Sequence, residues 1–320
     1  MTTPPAPLAR GSVSLRLYVH DLDPVSRLEV LRRQARHAEA VGYEGFMVSE
    51  HHADFPGYLP DPVLTTAVVL AATSSAWVAP CPLLVPTRPV ATIVEQLAWL
   101  DAAWPQRVGA GFAAGALPVD FELVGVPFDE ANARFTEALP RLVAALHGRD
   151  HSPLGRDRAV ARLADHPLPV VVAAQSATAA RRAARLGTGV LFDSLQTPTS
   201  ARALAEAYRA AGGTGPVVAI RRVWIGEPPR HAIEAQMAHY RSYAPPAAQR
   251  RWQGDQLVCE ATPAATAEHL AAVVAESGCD TVNVRIHAAE LDPADIEAQL
   301  ELHADGFVDA VRRRLTGVAP

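Results

Sequence analysis

Two adjacent histidines beside an acidic residue form the cluster with the clearest chemical potential, in the run Ser49-Glu50-His51-His52. They come directly after Gly45 to Ser49, an apolar segment that is typical of a buried strand. An imidazole can accept or donate a proton near neutral pH, so His51 is a candidate general acid or base. The run alone leaves a purely structural histidine equally open.

The paired histidines also raise the question of a metal, since Asp54 follows them closely. No second histidine or carboxylate cluster with a recognisable ligand spacing occurs at another predicted strand end. The metal interpretation therefore has little support, and we predict no metal here.

A second candidate site lies where the predicted strand Pro169 to Ala174 turns into a helix, in the run Ala173-Ala174-Gln175-Ser176-Ala177-Thr178. Ser176 and Thr178 would place hydroxyls beside free backbone N–H groups at a helix N-terminus, which suits phosphate. An ordinary N-cap, worth about 1 kcal/mol of stability, explains the same residues. The run alone favours the N-cap.

A third run, Gly109-Ala110-Gly111-Phe112-Ala113-Ala114-Gly115, has the appearance of a dinucleotide loop. Its third glycine comes one residue too late for Gly-x-Gly-x-x-Gly, and no acidic partner follows at the required distance. We interpret Gly111 and its neighbours as small residues that let a flat ring approach the end of a strand.

The elements that must position these residues alternate between short apolar strands and longer amphipathic helices, the pattern of a parallel α/β fold. The predicted strands are Val13 to Val19, Gly45 to Ser49, Trp77 to Val85, Arg107 to Phe112, Pro169 to Ala174, Val190 to Phe192, Val217 to Ile225 and Thr281 to Ile286. About eight such units close a (β/α)₈ TIM barrel, whose chemistry collects at the strand C-termini. We predict a flexible arm over residues 1–12 and one barrel domain over 13–320.

Two segments break the even spacing. One runs from Ala113 to Asp129, and the other, rich in proline and arginine, runs from Ala244 to Pro263. Long segments on this side of a barrel can form lids over an active site.

Composition excludes several classes of function. All 29 basic residues are arginine and none is lysine, which rules out Schiff-base enzymes and the Walker phosphate loop. The net charge of −5, without a basic stretch, argues against nucleic acid. Three scattered cysteines suit a reducing cytoplasm. The uncharged stretch from Asp61 to Arg88 is broken by prolines, which favours a buried helix and strand over a membrane span.

The ordered set of these runs resembles the bacterial-luciferase-like monooxygenases over most of residues 13 to 315. The similarity is carried by Gly42-Tyr43-Glu44-Gly45-Phe46-Met47-Val48-Ser49-Glu50-His51-His52, Pro86-Thr87-Arg88-Pro89-Val90, Glu95-Gln96-Leu97-Ala98-Trp99-Leu100-Asp101, Gln106-Arg107-Val108-Gly109, Asp120-Phe121-Glu122-Leu123-Val124-Gly125-Val126, Val171-Val172-Ala173-Ala174-Gln175-Ser176-Ala177-Thr178 and Ala183-Ala184-Arg185-Leu186-Gly187. Single motifs in this set have little specificity, and the order of the set provides it.

The resemblance implies a catalytic role for His51 beside a flavin ring and a phosphate site at Ser176 and Thr178. It also implies a bulge against the ring near Ala79 to Cys81, where Pro80 offers an X-Pro bond for a cis peptide. The full set of cofactor-binding residues expected in this way is Glu50, Ala79, Pro80, Cys81, Gly111, Phe112, Ala174, Gln175, Ser176 and Thr178.

Two positions depart from the family pattern. Phe112 and Ala113 stand where the luciferases place an arginine just after the fourth strand, and Gln175 replaces a glutamate. Unless another arginine takes its place, we expect weaker phosphate binding and a flavin that exchanges as a substrate. Phe112, Phe192 and Trp224 are candidates for the substrate side or for plain core.

By resemblance, reduced FMN from a separate flavin reductase and dioxygen would form a flavin hydroperoxide that oxygenates a small organic substrate, in a homodimer. Two alternatives remain open at this stage. One is a deazaflavin-dependent oxidoreductase of the same superfamily, which Glu50-His51-His52 makes less favoured than FMN. The other is a non-catalytic flavin-binding partner subunit.

Overall fold

The computed structural model describes residues 6–243, 249 and 256–317. The strands are β1 (Val13–Leu17), β2 (Gly45–Val48), β3 (Trp77–Pro80), β4 (Leu83–Leu84), β5 (Ala110–Ala113), β6 (Val170–Ala173), β7 (Gly189–Phe192), β8 (Val217–Ile225), β9 (Leu257–Glu260) and β10 (Thr281–Arg285). The α-helices are α1 (Pro24–Ala40), α2 (Pro62–Ala72), α3 (Val90–Ala103), α4 (Pro118–Glu122), α5 (Ala131–Leu146), α6 (Arg158–Arg162), α7 (Ala177–Leu186), α8 (Pro198–Ala210), α9 (Arg230–Tyr243), α10 (Pro263–Glu276), α11 (Pro293–His303) and α12 (Phe307–Thr316).

Several helices begin at the same local signal, a capping residue followed by proline. Asp23, Asp61 and Thr262 each accept hydrogen bonds from backbone N–H groups of the first turn, and a proline follows each of them. The cap satisfies N–H groups that lack a partner in the helix, and proline has no N–H to satisfy at that position. The helix starts after the strands are therefore fixed by local chemistry.

The strands form a parallel barrel in the order β3-β2-β1-β10-β8-β7-β6-β5-β4, with β9 added beside the end of β8. A bridge between Val78 and Val108 joins the two ends of this order, where the Val78 amide donates to the Arg107 carbonyl at 2.8 Å. Strands β3 and β4 act as one barrel strand, interrupted at the cis peptide between Cys81 and Pro82. The prediction of a TIM barrel is confirmed.

Two apolar layers support the barrel. The larger layer lies between the strands and the surrounding helices, and a smaller one fills the barrel interior with Leu8, Met47, Trp77, Ala79, Cys81, Val171, Leu191, Val218 and Ile220. Leu8 belongs to the segment that was expected to be a loose arm. Its side chain is 1% exposed beneath the strands, and the Gly11 amide donates to the Asp280 carbonyl at 2.7 Å. From residue 6 onward the arm is therefore packed, and residues 1–5 lie outside the described residues.

The structure describes the two long segments to different extents. Ala113 to Asp129 contributes α4 and ends in a short 3-10 helix, Phe128–Glu130. Most of the segment from Ala244 to Pro263 lies outside the described residues, and its end forms β9, which the sequence did not predict. Within the described chain no helix has both the length and the apolar character needed to cross a bilayer.

Candidate active site

A cavity of about 740 Å³ opens at the carboxyl ends of the barrel strands. Its volume lies within the range of about 300–1,000 Å³ that is typical of cofactor and ligand sites. Of the site residues predicted from the sequence, those that line it are Glu50, His51, Ala174, Gln175, Ser176 and Thr178. The structure thus brings the two separate runs, one after β2 and one after β6, into one chamber.

His51 is held on one wall by a carboxylate from the Ala113 to Asp129 segment. Its Nδ1 lies 2.8 Å from Oδ2 of Asp120, a residue on α4 with no exposed surface. The second oxygen of Asp120 accepts the backbone N–H of His52 at 2.8 Å, so the carboxylate fixes both the ring and its loop. With a proton on Nδ1 directed at Asp120, Nε2 of His51 is left as the nitrogen that exchanges a proton. Asp120 lies in one of the runs that carry the family resemblance. Its role was not predicted, because Asp120 and His51 are far apart in the chain.

Glu50 anchors the loop rather than presenting a free carboxylate. One oxygen accepts the Leu84 amide at 2.8 Å, and the other is bound by the Arg88 guanidinium and by Nε2 of His52. The hydrogen bond that His52 donates to Glu50 raises the pKa of His52, because the carboxylate favours the charged ring. This network ties β2 to the turn after β4 and so sets the position of His51.

An arginine of the first strand forms part of the cavity floor. The Arg16 guanidinium donates to the Cys81 carbonyl at 3.0 Å and to the Ser49 hydroxyl, and its Nε donates to Asn283 at 2.9 Å. Ser49 also donates to the Cys81 carbonyl, at 3.2 Å. The interruption between β3 and β4 is thus fixed from beneath by two donors.

The cis peptide predicted at Pro80 occurs two residues later, between Cys81 and Pro82. An X-Pro bond does supply it, but the expected position was wrong. Pro82 lines the cavity, whereas Ala79, Pro80 and Cys81 are buried behind its surface. The backbone turns between Cys81 and Leu83, so only the residue after the bond reaches the chamber.

Close packing of β5 on β3 explains the glycine at position 111. A Cβ there would lie 2.1 Å from Sγ of Cys81, so no larger residue fits. Phe112 points outward into the core beneath the helices, as Phe192 does. These two aromatics and Trp224 do not line the cavity, so their assignment to a substrate side is not supported. The small residues that do line this side are Ala113, Ala114, Gly115 and Ala116.

The opposite wall of the cavity contains the start of α7. Ser176 caps α7, where its hydroxyl accepts the Ala179 amide at 3.2 Å, and Thr178 lies in the first turn of the same helix. The N–H groups of this turn carry the positive end of the helix dipole. Both hydroxyl residues line the cavity.

Arg182 adds a positive charge to this wall, although the sequence analysis did not single it out. It lines the cavity, donates to the Thr136 hydroxyl at 2.6 Å and lies 5.2 Å from the centre of the Phe135 ring. Its Nε is buried without a partner among the described residues. Burial lowers the pKa of this guanidinium, and the nearby charge of Arg185 lowers it further. The available signal was its spacing, since a residue four positions after Thr178 lies on the same helix face.

Arg182 thus places an arginine on this wall, whereas Phe112 and Ala113 stand at the end of the fourth predicted strand. The glutamine at position 175 donates to Asp193 at 2.8 Å, and burial raises the pKa of that carboxyl. The wall next to Ser176 is accordingly less negative than two ionised carboxylates would make it.

Aromatic rings surround His51 on the third side. Its ring lies 4.5 Å from that of Tyr58 and 4.9 Å from that of Phe55. The Tyr58 hydroxyl lies 2.8 Å from that of Tyr240 on α9, which also accepts from Arg285 at 2.8 Å. These contacts shield the histidine, whose side chain is 18% exposed, from most of the solvent.

The residues that the structure describes hold no group of three or more His, Cys, Asp or Glu side chains in a metal-binding arrangement. His51 and His52 turn to different carboxylates, Asp120 and Glu50. Each histidine has a hydrogen-bonding role that requires no metal.

Curated relatives of this chain are distant. An uncharacterized protein of Mycobacterium tuberculosis is 28% identical over 177 residues, which cover 47% of this chain and 61% of the relative. An uncharacterized protein of Sinorhizobium fredii is 25% identical over 223 residues, covering 68% of this chain and 65% of the relative. The match thus spans less than two thirds of the length of either relative.

Solved structures share the fold over nearly the whole chain. A monooxygenase from Streptomyces bottropensis has a TM-score of 0.75 at 19% identity, covering 93% of this chain and 99% of its own. The oxygenating constituent of a Pseudomonas putida diketocamphane monooxygenase, solved with FMN, has a TM-score of 0.69 at 16% identity, covering 94% and 98%. An F420-dependent secondary alcohol dehydrogenase has a TM-score of 0.71 at 16% identity, covering 95% and 99%. At these identities the likeness establishes the fold.

The family assignment comes from the sequence as a whole. The model of the luciferase-like monooxygenase family matches residues 12–303, which include both walls of the cavity. The chain therefore belongs to the luciferase-like monooxygenase family, and the resemblance found from its motifs is confirmed.

Proposed function

We propose that the protein is a flavin-dependent monooxygenase that uses reduced FMN and dioxygen to oxygenate a small organic substrate. One observation carries the proposal. A single chamber holds an acid–base histidine, His51 on Asp120, on one wall and an anion-binding helix start, Ser176 with Arg182, on another. Family membership supports an oxidoreductase of this kind.

The residues fit the proposed cofactor at both of its parts. The N–H groups of α7, the hydroxyls of Ser176 and Thr178, and the Arg182 guanidinium would bind the phosphate, as helix starts and arginines commonly do. The small residues from Ala113 to Ala116 leave room for a flat ring against the strand ends. Bound reduced flavin would supply the electrons that activate dioxygen.

The chain's own residues would handle protons and water. Asp120 holds Nδ1 of His51, so Nε2 can deliver a proton to, or take one from, oxygen in the chamber. The rings of Phe55 and Tyr58 keep bulk water away from this nitrogen, which strengthens electrostatic interactions there. Asp120 acts through His51, so it is a positioning residue.

The first experiment is an equilibrium titration of the protein with FMN, with reduced FMN and with the deazaflavin F420, followed by mixing of the reduced complex with air. Tighter binding of reduced FMN, and a transient absorbance that precedes that of oxidised flavin, would support the proposal. Binding of F420 alone would instead make the protein a hydride-transfer enzyme. Failure to bind any of the three would favour a non-catalytic subunit.

The Asp120→Asn variant tests the proton-transfer arrangement. We expect it to bind flavin normally and to shift the pH profile of turnover, because the amide cannot stabilise a charged imidazole. An unchanged profile would remove the pair from the mechanism. A separate flavin reductase and a homodimer remain predictions that rest on the family resemblance, and a cytoplasmic location remains a prediction that rests on the three scattered cysteines.

A further inference from the structure

The charge of Arg16 is unusual for a group so deeply buried. Its side chain is 4% exposed at the floor of the cavity, and no carboxylate of the described residues lies within ion-pair distance of it. All of its hydrogen-bond partners are neutral: the Asn283 amide, the Ser49 hydroxyl, the Cys81 carbonyl and the Met47 sulfur. Arginine cannot lose its proton in a protein, so this buried cation has no counterion among the residues that the structure describes.

The donors of Arg16 are also incompletely used. Nε has one acceptor, and Nη1 has two. Nη2 has only the Met47 sulfur at 3.8 Å, a weak acceptor, so one of its N–H groups is unused within the described chain. Burying a charge is costly unless it is paired and hydrogen-bonded, so a ligand with negative charge would compensate this group.

Barrel topology places Arg16 across the chamber from the wall that contains Ser176, Thr178 and Arg182, which we call the phosphate wall. Around the closed barrel, β1 and β6 are separated by β2, β3 with β4, and β5 on one side, and by β10, β8 and β7 on the other. Ser176 and Arg182 follow β6, whereas Arg16 lies on β1. One ligand that spans the chamber would therefore meet positive charge at both ends.

We propose that Arg16 binds the anionic pyrimidine edge of reduced flavin and so makes the site selective for the reduced over the oxidised form. The inference rests on the proposed function, since it takes the ligand to be a flavin. Reduced flavin loses a proton from its pyrimidine ring near neutral pH, whereas the oxidised ring is neutral there. A fixed cation at that edge distinguishes the two forms, while a phosphate wall binds both alike.

The test is an anaerobic titration of the wild type, Arg16→Gln and Arg182→Gln with FMN and with chemically reduced FMN. We expect Arg16→Gln to weaken the binding of reduced FMN about 10- to 100-fold, which is the scale of a charge-assisted hydrogen bond. Oxidised FMN should change by less than about threefold, within the scatter of such measurements. Each tenfold loss in the ratio of the affinity for reduced FMN to the affinity for oxidised FMN lowers the midpoint potential of the bound flavin by about 30 mV.

Arg182→Gln is the matched control, because it removes an arginine from the phosphate wall and should weaken both forms equally. Arg16→Lys keeps the charge and should retain preference for reduced FMN. Equal weakening of both forms by Arg16→Gln would show that Arg16 is structural and overturn the inference while leaving the proposed function intact. A wild type that binds neither form would overturn the proposed function itself.

A measurement on the wild type covers the case in which Arg16→Gln does not fold. The midpoint potential of FMN bound to the wild type should exceed that of free FMN by about 30 mV or more, which corresponds to at least tenfold tighter binding of the reduced form. A potential equal to or below that of free FMN would overturn the inference.

Discussion

The two ends of the barrel differ in how their interior is filled. At the N-terminal end of the strands, Leu8 and Trp77 fill the interior, and Trp77 packs so closely on Gly45 that a Cβ there would lie 2.1 Å from its ring. At the C-terminal end the interior opens into a cavity of about 740 Å³ lined by charged and polar groups. The same eight-fold arrangement thus supplies a packed core at one end and a chamber at the other.

Hydrogen bonding shows the same division. Deeper in the barrel, Asn283 donates to Ser14 at 2.9 Å and accepts from Arg16, so its amide is used on both sides. Two arginines that line the chamber differ: within the part of the chain that is described, Nη2 of Arg16 and Nε of Arg182 have N–H groups without an oxygen or nitrogen acceptor. Satisfied groups stabilise a fold, whereas buried donors without an acceptor cost stability unless a further group pairs with them.

The largest effect should come from the chamber. We expect His51→Ala to lower turnover by about 10²- to 10⁴-fold, the contribution of a general acid or base. Flavin affinity should stay close to that of the wild type, whereas the melting temperature should fall, because the buried Asp120 carboxylate loses its imidazole partner. Steady-state rates with a supplied flavin reductase, together with a flavin titration, measure both. Full activity in the variant would make His51 structural.

The closed end predicts the reverse behaviour. Leu8→Ala should lower the free energy of unfolding by about 2–5 kcal/mol, because it leaves a cavity in the barrel interior. Flavin affinity should be unchanged. Leu64→Ala is the matched control, since that side chain is 64% exposed and its loss should cost less than about 0.5 kcal/mol. Denaturant unfolding of the wild type and the two variants gives the comparison. Equal stability of Leu8→Ala and wild type would contradict the role of Leu8 in filling the barrel interior.

Most of the barrel could be predicted from the sequence, because most strands are short, largely apolar runs and several helix starts carry their own cap. Strand β8 was predicted with the bounds that the structure gives it, Val217–Ile225. Strand β9 was missed because Leu257–Glu260 is short and partly exposed. The burial of Leu8 was missed because composition describes a segment and not the hole that it fills.

The candidate site was predictable wherever its residues are adjacent in sequence. His51 and Ser176 each lie in a recognisable run after a strand. Asp120 and Arg182 were missed because their roles depend on contacts across the fold, to a loop 69 residues away in the first case. Arg16 was missed because a charged residue inside a predicted buried strand shows its purpose only when its partners are known.

The free energy of unfolding should depend on pH through the buried side chain of His303. Burial lowers the pKa of His303, which pairs with Tyr43 just before β2, to about 3. The unfolded chain binds this proton below pH 6.5 and the folded protein does not, so stability falls as the pH drops from 6.5 towards 3. At pH 4.5 the loss is about 2–3 kcal/mol. Urea unfolding of wild type and His303→Gln at pH 7.5 and 4.5 measures it, and equal losses in both proteins would exclude His303.

The smallest effect separates capping from ligand binding at one residue. Ser176→Ala should weaken FMN binding by about 1–3 kcal/mol if the hydroxyl contacts phosphate, and it should also lower stability by about 1 kcal/mol because Ser176 caps α7. Thr262→Ala removes the equivalent cap of α10, where the hydroxyl accepts the Ala265 amide at 3.3 Å away from the cavity. That control should lose stability alone. If Ser176→Ala behaves like Thr262→Ala in both measurements, Ser176 is only a cap, and binding of the phosphate depends on Thr178, Arg182 and the helix N–H groups.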